Sequence, residues 1–270
     1  MISARHLLVL AAAFLLSQTA SADEHHPIMT SKYWVNLGVF FAARDFSASA
    51  NGGDKIDFSP GVGKKDAPEL FLGEIGWQFG EKWALGVQQF SSKRVTGKTL
   101  QETIVWQDLT FDVGVDIRAQ SEVSILRMVM SRQFRDKGPH SLRLVAGLHY
   151  FDASASLAGE AAIGGLGTEF REARASASGP LPNIGAWYRY SPSDRWLMSA
   201  RFDWLSAKVG NIRGGFWNIA AGANYRLSEH VGVGLAYQLF ELDGQLYEDR
   251  WRGQLKTRFS GPNLYISAFW

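Results

Sequence analysis

Apolar residues alternate with polar or small residues through most of this chain. The clearest stretch is 196–204, where the even positions are apolar or small and Ser199, Arg201 and Asp203 occupy odd positions. Side chains two residues apart lie on the same face of a β-strand, so this period predicts a strand with one apolar and one polar face. The same alternation recurs from residue 33 to the last residue, which predicts an all-β chain.

We predict ten strands from this pattern and from the turn residues between its segments. Short turns at 80–82, 135–140, 191–195 and 228–230 separate successive pairs of strands. Longer polar or glycine-containing segments at 50–70, 106–112, 159–167 and 243–250, and a turn at Gly210-Asn211, lie between the others. Short turns on one side and loops on the other are typical of a transmembrane antiparallel up-and-down β-barrel, in which an even strand number places both termini in the periplasm.

Two places leave the strand number open to eight or twelve. The alternation blurs in the strand predicted at 113–134, where Ile125, Val129 and Met130 do not share a parity. The region 171–182 is poor in large apolar residues and has no clear strand pattern. A different interpretation of either segment changes the number of strands without changing the class of fold.

The chain ends on an alternating segment with no polar tail. Leu264, Ile266, Ala268 and Trp270 share one face, which we expect to lie in lipid. This segment resembles the C-terminal strand of bacterial outer-membrane β-barrels, where a terminal Phe or Trp is recognised by the barrel-assembly machinery. The resemblance implies that machinery as a partner, along with outer-membrane lipids and lipopolysaccharide.

Aromatic residues gather beside the short turns. Such a girdle is typical of a membrane interface, and a soluble β-sandwich has no need of one. The predicted girdle consists of Phe79, Trp83, Phe134, Tyr190, Trp196, Tyr225 and Trp270.

The N-terminus has the pattern of a secretory signal. Arg5 and His6 precede an apolar run at 7–16, and Ala20-Ser21-Ala22 is a small-residue cleavage site. The apolar run is shorter than the roughly 20 residues that a membrane-spanning helix needs. We therefore predict a signal peptide at 1–22, a periplasmic leader at 23–31 and a barrel at 32–270. The leader contains His25 and His26, which we interpret as part of a solvated linker because no third metal ligand is nearby.

Composition supports an envelope protein and excludes several classes. The chain has no Cys, so it has neither disulfides nor a lipid-modified cysteine. Loss of residues 1–22 removes one Arg and no acid, so 27 basic and 26 acidic residues leave a formal charge of +1. That balance gives no nucleic-acid footprint. Ten Trp and 28 Gly in an exported chain agree with a location in the outer membrane of a Gram-negative bacterium.

The polar faces of the predicted strands supply the charges of the barrel lumen. Arginines outnumber acids in the predicted lumen, whose residues are Glu74, Arg127, Arg143, His149, Arg189, Arg201, Asp203 and Arg226. One interpretation is a narrow, porin-like channel that attracts small anions. The other is a charge network that fills the barrel and is only structural. Barrels of eight strands are filled by side chains and those of sixteen are open, so ten strands favour the filled barrel.

Some barrels of this size are enzymes, so the sequence is compared with their catalytic patterns. Protease barrels resembling the omptins use clustered Asp and His at the rim, and lipid A deacylases use a His and a Ser close together on one strand. His149 and Asp152 are the nearest combination here, but their spacing places them on opposite faces of a strand. The glycine-containing segment 159–167 lacks the strand-loop-helix context of a phosphate-binding loop. We predict no catalytic residue, metal or cofactor.

One short segment carries a closer resemblance. Asp54-Lys55-Ile56-Asp57-Phe58 is similar to the first loop of a family of small proteobacterial outer-membrane barrels. In that family further acidic residues follow, whereas this chain has 59–65 without any, so an acidic cation site is not carried over. The mature chain as a whole resembles small barrels grouped with porins and outer-membrane adhesins. The predicted function is non-enzymatic, either structural or as a narrow channel with weak anion preference; the alternatives are a lipid-modifying enzyme and a surface adhesin.

Overall fold

The computed structural model describes residues 25–49, 56–57, 69–106, 109–163, 166–209, 212–248 and 251–270. The predicted signal peptide, and residues 54, 55 and 58 of the first-loop segment, lie outside these residues. One short 3-10 helix, Pro27–Met29, precedes the strands. The strands are β1 (Tyr33–Phe41), β2 (Ala43–Ala48), β3 (Ile56–Asp57), β4 (Glu69–Phe79), β5 (Trp83–Thr99), β6 (Ile104–Trp106), β7 (Leu109–Phe111), β8 (Asp116–Lys137), β9 (His140–Ile163), β10 (Leu166–Tyr190), β11 (Trp196–Val209), β12 (Ile212–Arg226), β13 (Val231–Glu248) and β14 (Trp251–Phe269).

Ten of these strands close into an antiparallel barrel in the order β1-β4-β5-β8-β9-β10-β11-β12-β13-β14. The last strand pairs with the first, from Trp34 opposite Phe269 to Phe40 opposite Asn263. The prediction of an up-and-down barrel of ten strands is therefore confirmed. The turns after β4, β8, β10 and β12 lie at the same end of the barrel as the start of β1 and the end of β14. We call it the periplasmic end.

The outer face of the barrel carries a belt of exposed apolar side chains. Phe71 is 63% exposed and Ile75 is 61% exposed on β4, and Leu264 and Ile266 are exposed on β14. Side chains that alternate with them are turned inward, such as buried Glu74 and Ser267. A closed barrel with an apolar outer belt satisfies every ladder hydrogen bond inside the membrane and presents hydrocarbon to lipid.

The residues predicted as a girdle all lie on the outer face near the periplasmic end. Trp83, Phe134, Trp196 and Trp270 are exposed, and Trp196 packs edge-on against Tyr225 with ring centroids 4.9 Å apart. Phe134 stands at a β-bulge, because the register between β8 and β9 shifts between Gln133 and Arg135. No helix among the described residues is long and apolar enough to cross a membrane.

Pro262 interrupts one ladder without shifting its register. β14 pairs in one continuous register with β1 up to Asn263 and with β2 from Ser260, so the strand has no bulge at this proline. Pro has no N–H to donate, so the ladder lacks its hydrogen bonds only at this point. The carbonyl oxygen of Phe41 lies 2.1 Å from where a Cβ on Gly261 would be, so only glycine permits this approach.

Beyond the membrane the barrel divides into two facing sheets. The β10–β11 ladder stops at Ile184, and the β4–β5 ladder stops at Phe90, while β5, β8, β9 and β10 continue together. Pro180 and Pro182 follow the last paired residue in the outward direction, and neither can donate a ladder hydrogen bond to β11. A tilted strand rises roughly 2.5 Å per residue along the barrel axis, and about ten residues cross the membrane. Strands of this length therefore extend roughly 30 Å beyond the membrane.

One apolar core joins the two sheets. The first sheet contributes small side chains, among them Ala153, Ala155, Ala173, Ala175 and Ala177. The second contributes large ones, among them Phe216, Phe240, Leu242, Leu255 and Phe259. Some Cα atoms of β10 and β14 are within 8 Å of each other, a close approach that only small side chains on one side allow.

Several segments predicted as loops are strands instead. The strands β9 and β10 include most of 159–167, and β13 and β14 include most of 243–250. The segment 106–112 belongs largely to the hairpin of β6 and β7, in which Trp106 and Phe111 are fully buried. In 159–167 the prediction failed because Ala and Gly have little apolar area, so a strand there shows no clear apolar period.

The interior of the barrel as a candidate functional site

The periplasmic half of the interior contains a buried ion pair. A guanidinium nitrogen of Arg127 lies 2.7 Å from a carboxylate oxygen of Asp203, and both side chains are almost inaccessible. Asn218 donates to the other carboxylate oxygen at 3.1 Å, and Gln238 donates to Asn218 at 3.1 Å. Both carboxylate oxygens of Asp203 therefore accept a hydrogen bond in this low-dielectric space.

A second ion pair lies beside the first. Arg201 donates to Glu74 at 3.1 Å, and the indole N–H of Trp34 donates to the other carboxylate oxygen at 3.2 Å. Gln88 links the two pairs, because its side-chain oxygen accepts from both Arg127 and Arg201 at 3.4 Å. The ring of Trp187 receives both guanidinium groups, that of Arg127 at 5.2 Å and that of Arg201 at 4.5 Å.

The remaining predicted lumen residues have separate environments. Arg143 is buried and donates to Gln78 at 2.8 Å. His149 is buried against Phe216, with ring centroids 4.5 Å apart. Arg189 lies over the ring of Trp34 at 5.4 Å. Arg226 lies at the periplasmic rim and pairs with Asp194 in the turn after β10, so its partner is neither Glu74 nor Asp203.

The outer half of the interior is mostly apolar, and Arg44 is buried in it against the rings of Phe46 and Phe259. Phe40, Phe46 and Phe259 fill it together with the alanines of β9 and β10, and the β6–β7 hairpin covers it. Sequence reasoning missed this filling, because it placed only polar side chains in the lumen. The sequence did contain a signal, because Phe40, Ile125 and Phe240 occupy inward positions of the alternation. The predicted polar lumen gave these apolar side chains no function.

The leader closes the periplasmic mouth. His26 is fully buried, its backbone N–H donates to Ser191 at 2.7 Å, and its ring meets Phe269 edge-on at 5.2 Å. Ile28 is buried in a cluster with Trp34, Leu197 and Phe269. The interpretation of residues 25–31 as a solvated linker was wrong, since this segment packs into the barrel.

Burial makes the docked leader sensitive to acid. Desolvation, with nearby Arg226 and Arg189, lowers the pKa of His26 from 6.5 to about 4. A base with a lowered pKa stabilises the docked leader fully above the ordinary pKa and loses that contribution as pH falls from about 6.5 to about 4. We expect the leader to become protease-sensitive over this interval.

The experiment is limited proteolysis of the folded protein at stepped pH with an acid-tolerant protease. His26→Asn should remove the pH dependence, while the matched change His25→Asn should keep it. A pH profile that is the same in wild type and His26→Asn would contradict the assignment.

A polar cavity of about 110 Å³ lies between the leader and the ion pairs. Ile28, Trp34, Trp187 and Leu197 give it an apolar side, and Arg189 and Arg201 give it a basic side. A smaller cavity of about 30 Å³ lies above the ion pairs, next to Arg127 and His149. Both are large enough for ordered water, since one molecule needs about 10–15 Å³.

The closed ten-strand barrel and its apolar belt are features of proteins that cross the bacterial outer membrane. The chain is an outer-membrane β-barrel. It is similar in fold to the outer-membrane protease OmpT from Escherichia coli, with a TM-score of 0.59 and 10% sequence identity over 94% of this chain and 99% of that chain.

Two further solved structures match with lower TM-scores. The transport unit of the autotransporter AIDA-I from Escherichia coli has a TM-score of 0.40 and 11% identity over 98% of this chain and 96% of that chain. Ail, the attachment invasion locus protein of Yersinia pestis, has a TM-score of 0.32 and 9% identity over 87% of this chain and 98% of that chain. No protein-family model matches the sequence, and no curated protein matches it.

The positions of the histidines bear on enzymatic chemistry. In the described part of the barrel, His140 and His230 lie in or beside periplasmic turns, His26 lies in the leader and His149 lies in the lumen. His149 is buried while Asp152 is exposed, so the two do not meet. Among the residues that the structure describes, no group of three His, Cys, Asp or Glu side chains could hold a metal ion.

Proposed function

We propose that this protein is a non-enzymatic, non-conducting outer-membrane barrel that presents a rigid β-structure at the cell surface for binding other macromolecules. The observation that carries this proposal is the filling of the interior at three successive levels. The leader occupies the periplasmic mouth, the ion pairs of Arg127 and Arg201 occupy the centre, and an apolar core occupies the outer half. Ions have no continuous polar path through such a core.

The part outside the membrane supports the surface role. Folding a two-sheet structure far from the bilayer costs conformational entropy, and membrane insertion alone does not require such a structure. Its tip exposes apolar side chains, with Val113 61% and Phe170 73% exposed. Exposed apolar side chains at such a tip are available for contact with a partner.

The excess of lumenal arginine leaves an anion channel as the second candidate. Arg127, Arg143, Arg189 and Arg201 face the interior with only Glu74 and Asp203 as acids near them. Fixed positive charge raises the local concentration of anions, so any current should prefer anions.

The test of the proposal is single-channel recording of the refolded protein in planar bilayers, together with a surface-binding assay. We expect no channel events, and we expect cells displaying the protein to adhere to immobilised extracellular proteins less well after Phe170→Ser and Val113→Ser. Phe71→Ser, a matched change in the lipid belt, serves as the control for adherence. Stable anion-preferring events that Arg201→Gln weakens would replace this proposal by the channel, and equal adherence of all variants would contradict the surface role.

A further inference from the structure

The cavity behind the leader contains more positive than negative charge. Arg201 and Glu74 both line it and neutralise each other at 3.1 Å. Arg189 also lines it, and its hydrogen bond is to the carbonyl oxygen of Ile28 at 3.4 Å, a neutral group. The ion pairs formed by described residues include none for Arg189. The charge of Glu74 acts on Arg189, but Glu74 is already paired with Arg201, so one positive charge is left over and a counter-anion is expected beside Arg189.

The stacking of the arginines directs their donors toward the cavity. Arg189 lies over Trp34 and Arg201 lies over Trp187, which fixes the plane of each guanidinium on an aromatic face. Arg201 already donates to Glu74 and Gln88, whereas the hydrogen bond of Arg189 is to one carbonyl oxygen, so Arg189 keeps N–H donors at its edge for the cavity. A guanidinium edge matches the two oxygens of a carboxylate, which makes arginine suited to this class of anion.

The opposite side of the same cavity is apolar. Ile28, Leu72 and Leu197 line it, and alanines at 220 and 236 leave space between them. Chloride or inorganic phosphate would gain nothing from these side chains, whereas a short hydrocarbon body would bury its surface there. The volume of about 110 Å³ admits a molecule of only a few non-hydrogen atoms.

We propose that this cavity is a binding site for a short-chain carboxylate, held at its head by Arg189, beside the Arg201–Glu74 pair, and at its body by Ile28 and Leu197. Since Ile28 belongs to the leader, the leader forms one wall of the site. The ligand enters from the periplasmic side, because the apolar core closes the outer side. The site is independent of the proposed surface role, which concerns the other end of the molecule.

The experiment is isothermal titration of the full-length mature protein in detergent with butyrate, butylamine, chloride and inorganic phosphate. We expect saturable binding of butyrate, no binding of butylamine, and at least tenfold weaker binding of chloride and phosphate. Arg189→Gln should weaken butyrate binding at least tenfold, while Arg195→Gln, a matched change in an exposed turn, should leave it unchanged.

A further variant separates the two halves of the site. Ile28→Asn should weaken butyrate severalfold and leave chloride unchanged, since it alters only the apolar wall. Migration on gels before and after boiling shows that each variant is folded, because a closed barrel resists detergent until it is heated. Equal binding of butyrate and chloride, binding of butylamine, or butyrate affinity that Arg189→Gln does not change would overturn the assignment, as would no binding to a folded wild type.

Discussion

Replacing Arg127 by Met is expected to destabilise the folded barrel by about 3–5 kcal/mol, because removal of one partner leaves the other charge buried without compensation. Asp203 would keep hydrogen bonds from Asn218 but lose the cation at 2.7 Å. The side chain of Asp203 is 0% exposed, so water does not reach the carboxylate to replace that cation. The free energy of unfolding is measured by urea titration in liposomes.

The matched control is Arg44→Met. Arg44 is also buried, at 2% exposure, but its hydrogen bond is to the hydroxyl of Ser92 at 3.0 Å and two of its nitrogens have no partner. Since no carboxylate is left behind, and Met can pack on Phe46 and Phe259, this change should be neutral or stabilising. The double change Arg127→Met with Asp203→Leu should recover part of the loss. If Arg44→Met costs as much as Arg127→Met, the loss reflects arginine packing and not the unpaired carboxylate.

Replacing Ile75 by Arg is expected to cost about 2–4 kcal/mol, the range for a cation placed on the lipid face near the middle of the bilayer. Ile75 is 61% exposed and lies four residues from Phe79 and four from Phe71 along β4. Arginine at this depth must either remain in hydrocarbon or bend to reach the interface. Unfolding titrations in liposomes give the difference from wild type.

The control at the same position is Ile75→Leu, which keeps the lipid face apolar and should change the free energy of unfolding by less than about 1 kcal/mol. A second comparison uses detergent micelles, in which the cost of the arginine should fall because micelles are thinner and more hydrated. An Ile75→Arg variant as stable as Ile75→Leu in liposomes would mean that β4 does not face lipid at this point.

The membrane-spanning part of this fold could be predicted from the sequence because its physics is local. In lipid every strand must show apolar side chains outward, so the period of two in Phe71, Ile75 and Trp77 identifies both the strand and its face. The same alternation places Glu74, Arg201 and Asp203 on the inward face, whatever their partners are. Where the apolar residues are small and face the core, as Ala173, Ala175 and Ala177 do in 171–182, the prediction left the strand number open.

The charge pairs could not be predicted in the same way. Parity shows that Arg127, Arg201, Glu74 and Asp203 share the interior, but pairing depends on which strands face each other across the barrel and at what height. Glu74 and Arg201 are separated by 127 residues along the chain. A register difference of two residues in either strand would exchange the partners.

The sequence was sufficient for the all-β class, the barrel with an even number of strands, the lipid face and the set of inward charges, because each follows from neighbouring residues and from the uniform demands of a bilayer. Packing between distant segments set the rest. It decided that Arg226 pairs at the rim, that the leader packs into the mouth at His26 and Ile28, and that the alanines of β9 and β10 meet phenylalanines from another sheet. These outcomes depend on contacts between segments far apart in the chain, and such contacts leave no period in the sequence by which they could be recognised.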